Sequence, residues 1–70
     1  MKLAILVSRD CLPWTLYDGT RVNISPGTIV QYERDGSNLY SVYFPGVQGY
    51  APMSRWVFDR YFEDLDDGTS

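Results

Sequence analysis

The feature that most constrains this fold is the division of its aromatic residues among short extended segments punctuated by turn residues. The chain carries two Trp, six Tyr and three Phe. Tyr32, Tyr40, Tyr43, Phe44, Tyr50, Trp56, Phe58, Tyr61 and Phe62 crowd the stretch from residue 32 to residue 62. Aromatic and β-branched side chains fit a pleated, half-buried surface, so the pattern predicts a mainly β fold. The short, regular intervals between turn signals point to a small barrel or meander of five to six strands. At 70 residues the chain has material for one core, and residues 1–65 read as a single domain followed by an acidic tail at 66–70.

The pattern resolves along the chain. Lys2 to Ser8 reads as a first strand buried on both faces, because its apolar run does not alternate. Arg9 to Pro13 reads as a connection. Trp14–Tyr17 and Thr20–Ile24 flank Asp18-Gly19, a pair suited to a type I′ hairpin turn. Ser25-Pro26-Gly27 reverses the chain into a strand at Thr28–Glu33. A polar loop, Arg34–Asn38, leads to a strand at Leu39–Phe44. After Pro45–Gly49, Tyr50-Ala51 opens a short strand that Pro52 is expected to end.

The last segment, Ser54 to Leu65, supports two readings. Val57, Tyr61 and Leu65 fall four apart, as do Phe58 and Phe62, and Ser54 is a good cap, which predicts one helix over about residues 54–65. Trp, Val, Phe and Tyr are weak helix formers, which favours a helical turn near Arg55–Asp59 and then a final strand, Tyr61 to Leu65. Trp56, Phe58 and Phe62 are the expected core members of this segment.

Three stretches carry a family resemblance: Pro26-Gly27-Thr28-Ile29-Val30, Tyr40-Ser41-Val42-Tyr43-Phe44-Pro45-Gly46, and Phe58 to Leu65. Together they resemble the Src-homology-3-like small β-barrels, in the broad sense that includes small stromal docking subunits of photosynthetic complexes. There a Pro-Gly turn opens a strand, a central strand ends in an aromatic, and a final turn leads into a closing strand. The resemblance implies a docking module. The chain departs from the peptide-binding signalling members, lacking an adjacent Trp pair after the central loop and an acidic cluster in the first long loop beyond Asp10 and Asp18. Recognition of proline-rich peptides is therefore not carried over.

Charge and composition exclude several chemistries. There is no His, one Cys and one Lys, Lys2. Zinc sites, Ser–His–Asp or Cys–His nucleophilic catalysis and lysine-bearing phosphate loops all need residues this chain lacks. No enzymatic activity and no cofactor or metal are expected. Lone Cys11 forms no intramolecular disulfide, which fits a reducing, cytoplasmic setting. The apolar run at Leu3–Val7 is far too short for a membrane span, so no membrane association is expected.

What remains is binding. From Met1 to Phe62 six basic residues nearly balance five acidic ones, whereas Glu63, Asp64, Asp66 and Asp67 cluster beyond. Trp14, Tyr17, Tyr43 and Tyr50 lie beside turns and are the candidate contact aromatics, with Glu63, Asp64, Asp66 and Asp67 as an acidic rim for a basic protein partner. The expected function is a protein-binding module, an adaptor or stoichiometric inhibitor in the manner of small viral accessory proteins that act on host enzymes. A second reading stacks single-stranded nucleic acid on Tyr43 with Arg34, Arg55 and Arg60, although a pI near 4.5 disfavours it. A third makes the chain a structural subunit that pairs through an exposed strand edge.

Overall fold

The computed structural model describes residues 1–65, so Asp66, Asp67 and the remainder of the proposed tail lie outside the described residues. The fold is mainly β. Seven strands and one helix follow in the order β1 (Lys2–Leu6), β2 (Leu12–Thr15), β3 (Arg21–Ile24), β4 (Ile29–Arg34), β5 (Leu39–Tyr43), β6 (Ala51–Ser54), α1 (Arg55–Tyr61) and β7 (Phe62–Asp64). This exceeds the five to six strands expected, because the three residues after the helix form a strand of their own. Five strands make an antiparallel sheet in the order β6-β5-β4-β1-β7, and β2-β3 forms a separate hairpin. Among the described residues the ladders do not close into a barrel: β6 and β7 remain the two edges of the large sheet.

Cross-strand pairing and alternation define an inner and an outer face of that sheet. Ala4 and Leu6 on β1, Val30 and Tyr32 on β4, Val42 on β5, Ala51 and Met53 on β6 and Phe62 on β7 are buried on the inner face. The hairpin covers this face with Leu12, Leu16 and Ile24, all buried, and with half-buried Trp14 and Val22. Strand β1 is therefore buried on one face only. Leu3 and Val7, expected inside, are 37% and 52% exposed, because no second layer lies over the β1 part of the outer face among the described residues. The uninterrupted apolar run marks two apolar faces but says nothing of whether both are covered.

Turn chemistry sets the connections. Thr28 N–H donates to Ser25 C=O at 3.2 Å, with Gly27 at φ +86°, so Pro26-Gly27 is a type II turn. Pro45-Gly46 repeats it, with Val47 N–H donating to Phe44 C=O at 3.2 Å and Gly46 at φ +75°. The Asp18-Gly19 turn is not type I′, which requires positive φ at both central positions; no residue other than glycine has positive φ among the described residues. Gly19 N–H donates to Leu16 C=O at 3.0 Å and Leu16 N–H to Thr20 C=O at 2.7 Å. This is a three-residue loop, Tyr17-Asp18-Gly19, with Gly19 in the left-handed position of a bulge. It lifts Tyr17 out of the strand to the hairpin tip.

Two prolines sit inside strands rather than ending them. Strand β2 begins at Leu12 and runs through Pro13, and β6 runs through Pro52 to Ser54. In an antiparallel strand the N–H and C=O of one residue point to the same side. Pro52 C=O faces away from β5, where it accepts a bond from Trp14, so the donor proline lacks is one that β5 does not use.

The fork at Ser54–Leu65 resolves into a short helix followed by a strand. Ser54 is extended and its Oγ accepts from Val57 N–H at 3.4 Å, an N-cap. After the seven helical residues Phe62 turns extended (φ −123°, ψ 150°) and pairs with Leu6. A helix this short does not persist alone. It is held by Phe58, whose ring lies 4.6 Å from Tyr32, 4.8 Å from Tyr40 and 5.1 Å from Phe62. Phe58 and Phe62 are buried as expected. Trp56 is not a core residue: it is 66% exposed, since its position one step before the Val57/Phe58 stripe points it away from the sheet.

Candidate functional site

Where β6 begins, the chain gathers three of the four candidate aromatics. Tyr17 leaves the hairpin tip, and its N–H donates to Tyr50 C=O at 3.0 Å. That bond lays the Tyr17 ring flat on Tyr50, with centroids 4.8 Å apart and planes within 2°. Tyr43, at the end of β5, approaches Tyr50 at 6.1 Å with its ring tilted by 50°. Gly49 makes the stacking possible, for a Cβ there would fall 2.9 Å from Tyr17 Cε1. Tyr17 is 60% exposed, and Tyr43 and Tyr50 are half-buried. The result is a pre-ordered aromatic shelf.

Trp14 extends the shelf along the same edge. Its indole N–H donates to Pro52 C=O at 3.1 Å. The half-buried indole lines shallow grooves with Pro13, Thr15 and Pro52 on one side and with Arg21 and Val22 on the other. The hairpin is thus fastened to β6 at two points, one backbone and one side chain. Asp18 stiffens the tip: its carboxylate accepts from Thr20 N–H at 2.9 Å. That backbone bond, with a side-chain bond from the same threonine, holds the Asp18 pKa below its ordinary value.

The acidic candidates lie elsewhere. Glu63 and Asp64 are on β7, at the opposite edge of the five-stranded sheet from the shelf. They also face opposite sides of their strand. Exposed Glu63 pairs with Ile5 on the outer face, whereas half-buried Asp64 lines a cleft of about 380 Å³ with Lys2, Tyr32, Glu33, Arg34 and Tyr40. Two basic and two acidic residues line that cleft.

The nucleic-acid candidates are dispersed. Tyr43 belongs to the shelf. The Arg34 guanidinium folds back on its own loop, donating to Gly36 C=O at 3.2 Å and Ser37 C=O at 3.4 Å. Arg55 opens α1, and Arg60 lies a turn later, sharing a shallow groove with Trp56, Val57 and Tyr61. The Trp56–Arg60 pair, four apart on the exposed helix face, is a surface that residue type alone misses; helical position is the signal that finds it.

Among the described residues no group of three or more Cys, Asp or Glu side chains is placed to hold a metal ion. No helix there is long and apolar enough to cross a membrane. Comparison with protein-family models, with curated proteins and with solved structures gives no match.

Proposed function

We propose that this chain is a non-enzymatic protein-binding module, an adaptor or stoichiometric inhibitor of a partner protein in the reducing interior of a cell. The observation that carries the reading is the Tyr17–Tyr50 stack: a large, rigid aromatic surface held open to solvent at 60% exposure of Tyr17. Tyrosine and tryptophan held in one conformation supply contact area at little entropic cost, which is why such residues dominate interface hot spots. Trp14, tied to Pro52, adds a second anchor on the same edge. The absence of histidine from the sequence removes the commonest general base.

The path of the chain supports the likeness to Src-homology-3-like docking barrels. The Pro26-Gly27 turn opens β4, β5 runs into Phe44, and α1 leads into β7, which pairs with β1. A small viral accessory protein directed at a host enzyme would have this size and character.

The test is affinity capture from nuclease-treated lysate, with wild type compared with Tyr17→Ser and retained proteins identified by mass spectrometry. One dominant protein, held at moderate salt by wild type and released from the variant, is the expected result. Retention of nucleic acid alone, and only when nuclease is omitted, overturns the reading. Tyr17 is mostly exposed, so its loss leaves the core intact.

A further inference from the structure

The outer face of the five-stranded sheet is the largest feature that the tyrosine shelf leaves unexplained. Leu3, Ile5 and Val7 project from β1 and its extension, Ile29 flanks Ile5 on β4, and Leu65 follows β7, its N–H donating to Leu3 C=O at 2.9 Å. Four of them are 37–52% exposed: Leu3, Val7, Ile29 and Leu65. These aliphatic side chains form one continuous ridge, because Ile5 is directly opposite Ile29 on one side and Glu63 on the other. Exposed ridges of this kind mark interaction sites more often than isolated apolar residues do.

Among the outward strand positions the charge is of one sign. Glu63 lies beside Ile5, and Glu33, at the rim of the Asp64 cleft, takes an outward position on β4 by alternation. The remaining outward positions of the five strands are Gln31, Leu39, Ser41, Tyr43, Pro52 and Ser54, so no basic residue faces out from these strands. In a two-fold contact with a second copy, Glu63 and Glu33 would find no basic outward strand position on the facing copy to pair with. A patch of this kind, about 300–600 Å² on a typical monomer, is also smaller than the roughly 800 Å² per partner of a standard interface, so the polar rim must contribute.

We propose that this outer face docks a partner protein whose surface presents lysines or arginines around an aliphatic centre. The inference rests on the reading of the chain as a protein-binding module, and adds a second surface to the shelf together with the chemistry of what it recognises. The apolar centre supplies affinity, and the glutamates steer the basic partner and set its register.

The experiment is an NMR titration of the isotopically labelled chain with a synthetic amphipathic peptide of alternating leucine and lysine, using the leucine–glutamate peptide as control. The expected result is amide shifts concentrated at Leu3, Ile5, Ile29 and Glu63, with little response to the glutamate peptide. Affinity should fall by about tenfold in Ile29→Ser. It should fall by about fivefold in the double variant Glu33→Lys, Glu63→Lys. Circular dichroism of each variant checks that the fold is retained.

Shifts confined to the Tyr17–Tyr50 stack with none at Leu3, Ile5 or Ile29, equal response to both peptides, or no response up to about 1 mM peptide would each overturn the outer-face proposal. None of these touches the shelf, whose failure is read separately from lysate capture by Tyr17→Ser. Concentration-dependent dimerisation of the wild type, abolished by Ile29→Ser in sedimentation, would replace the basic partner with a second copy and likewise overturn it.

Discussion

The indole N–H of Trp14 donates to the carbonyl of Pro52 across 38 positions of sequence, binding the hairpin to an edge strand through a residue that has no N–H of its own. Replacing Trp14 by Phe keeps most of the ring and deletes the donor. The expected cost is about 0.5–1.5 kcal/mol, read as a fall in Tm of about 4–8 °C for each kcal/mol in a chain of this size. An unchanged Tm would show that the bond is replaced by water without loss.

Phe58 and Trp56 lie two positions apart on α1 yet have opposite fates, 3% and 66% exposed. Phe58→Ala removes the ring that holds the helix to Tyr32, Tyr40 and Phe62, at a cost of about 3–5 kcal/mol. A chain this small has only about 3–10 kcal/mol to lose, so urea denaturation monitored by circular dichroism should show a largely unfolded variant. Trp56→Ala should shift the urea midpoint little, since exposed substitutions fall within about 0.5 kcal/mol. Equal effects would mean that Trp56 packs inward after all.

Residue type and residue position disagree at Trp56, and the disagreement shows how much of this fold was legible. Size alone sends a tryptophan inside; its place on the helix sends it out. Strand positions at Arg21–Ile24, Ile29–Arg34 and Leu39–Tyr43 follow closely from alternation and turn residues, because period-two patterning is local information. The final segment was ambiguous because the same Phe58 and Phe62 satisfy a helical spacing and a helix-to-strand switch. The places of Tyr17, Tyr43 and Tyr50 beside turns were readable from the sequence. Their meeting was not, since it depends on a bond between the hairpin tip and β6 that no local pattern encodes. The separation of Glu63 from the shelf was hidden for the same reason: strand order is a property of long-range pairing.

Gly49→Ala should couple stability to function. Gly49 has φ +88°, where a side chain costs about 1–2 kcal/mol, and the new methyl would press on Tyr17. The expected outcome is a lowered Tm together with weaker partner capture. A variant that lost stability but held its partner at full strength would show that the Tyr17 stack is structural and not part of the contact.

The Asp18 carboxyl predicts a small acid-side effect. Its pKa is lowered in the folded chain from the ordinary 3.8, so its contribution is present above the unfolded pKa and fades as pH falls through the folded one. Asp18→Asn keeps an acceptor for Thr20 but removes the charge. Melting curves should therefore separate wild type from variant at neutral pH and converge as pH falls below the ordinary 3.8 and through the lowered folded value. A constant gap throughout would assign the effect to the hydrogen bond and not to ionisation.

The place of β1, between β4 and β7, has a consequence for the order of assembly. Both of its partners are distant from it in sequence, whereas β4, β5 and β6 meet through neighbouring turns. Loop closure must be met before distant contacts return anything, so the meander should form the nucleus and β1 with β7 should zip on last. Conservative substitutions at Val30 or Val42 are then expected to slow refolding, and substitutions at Phe62 mainly to hasten unfolding, with φ-values from stopped-flow kinetics separating the two. The residues that complete the outer ridge, Leu3, Ile5 and Leu65, would be the final ones ordered, so that face does not exist until folding is finished.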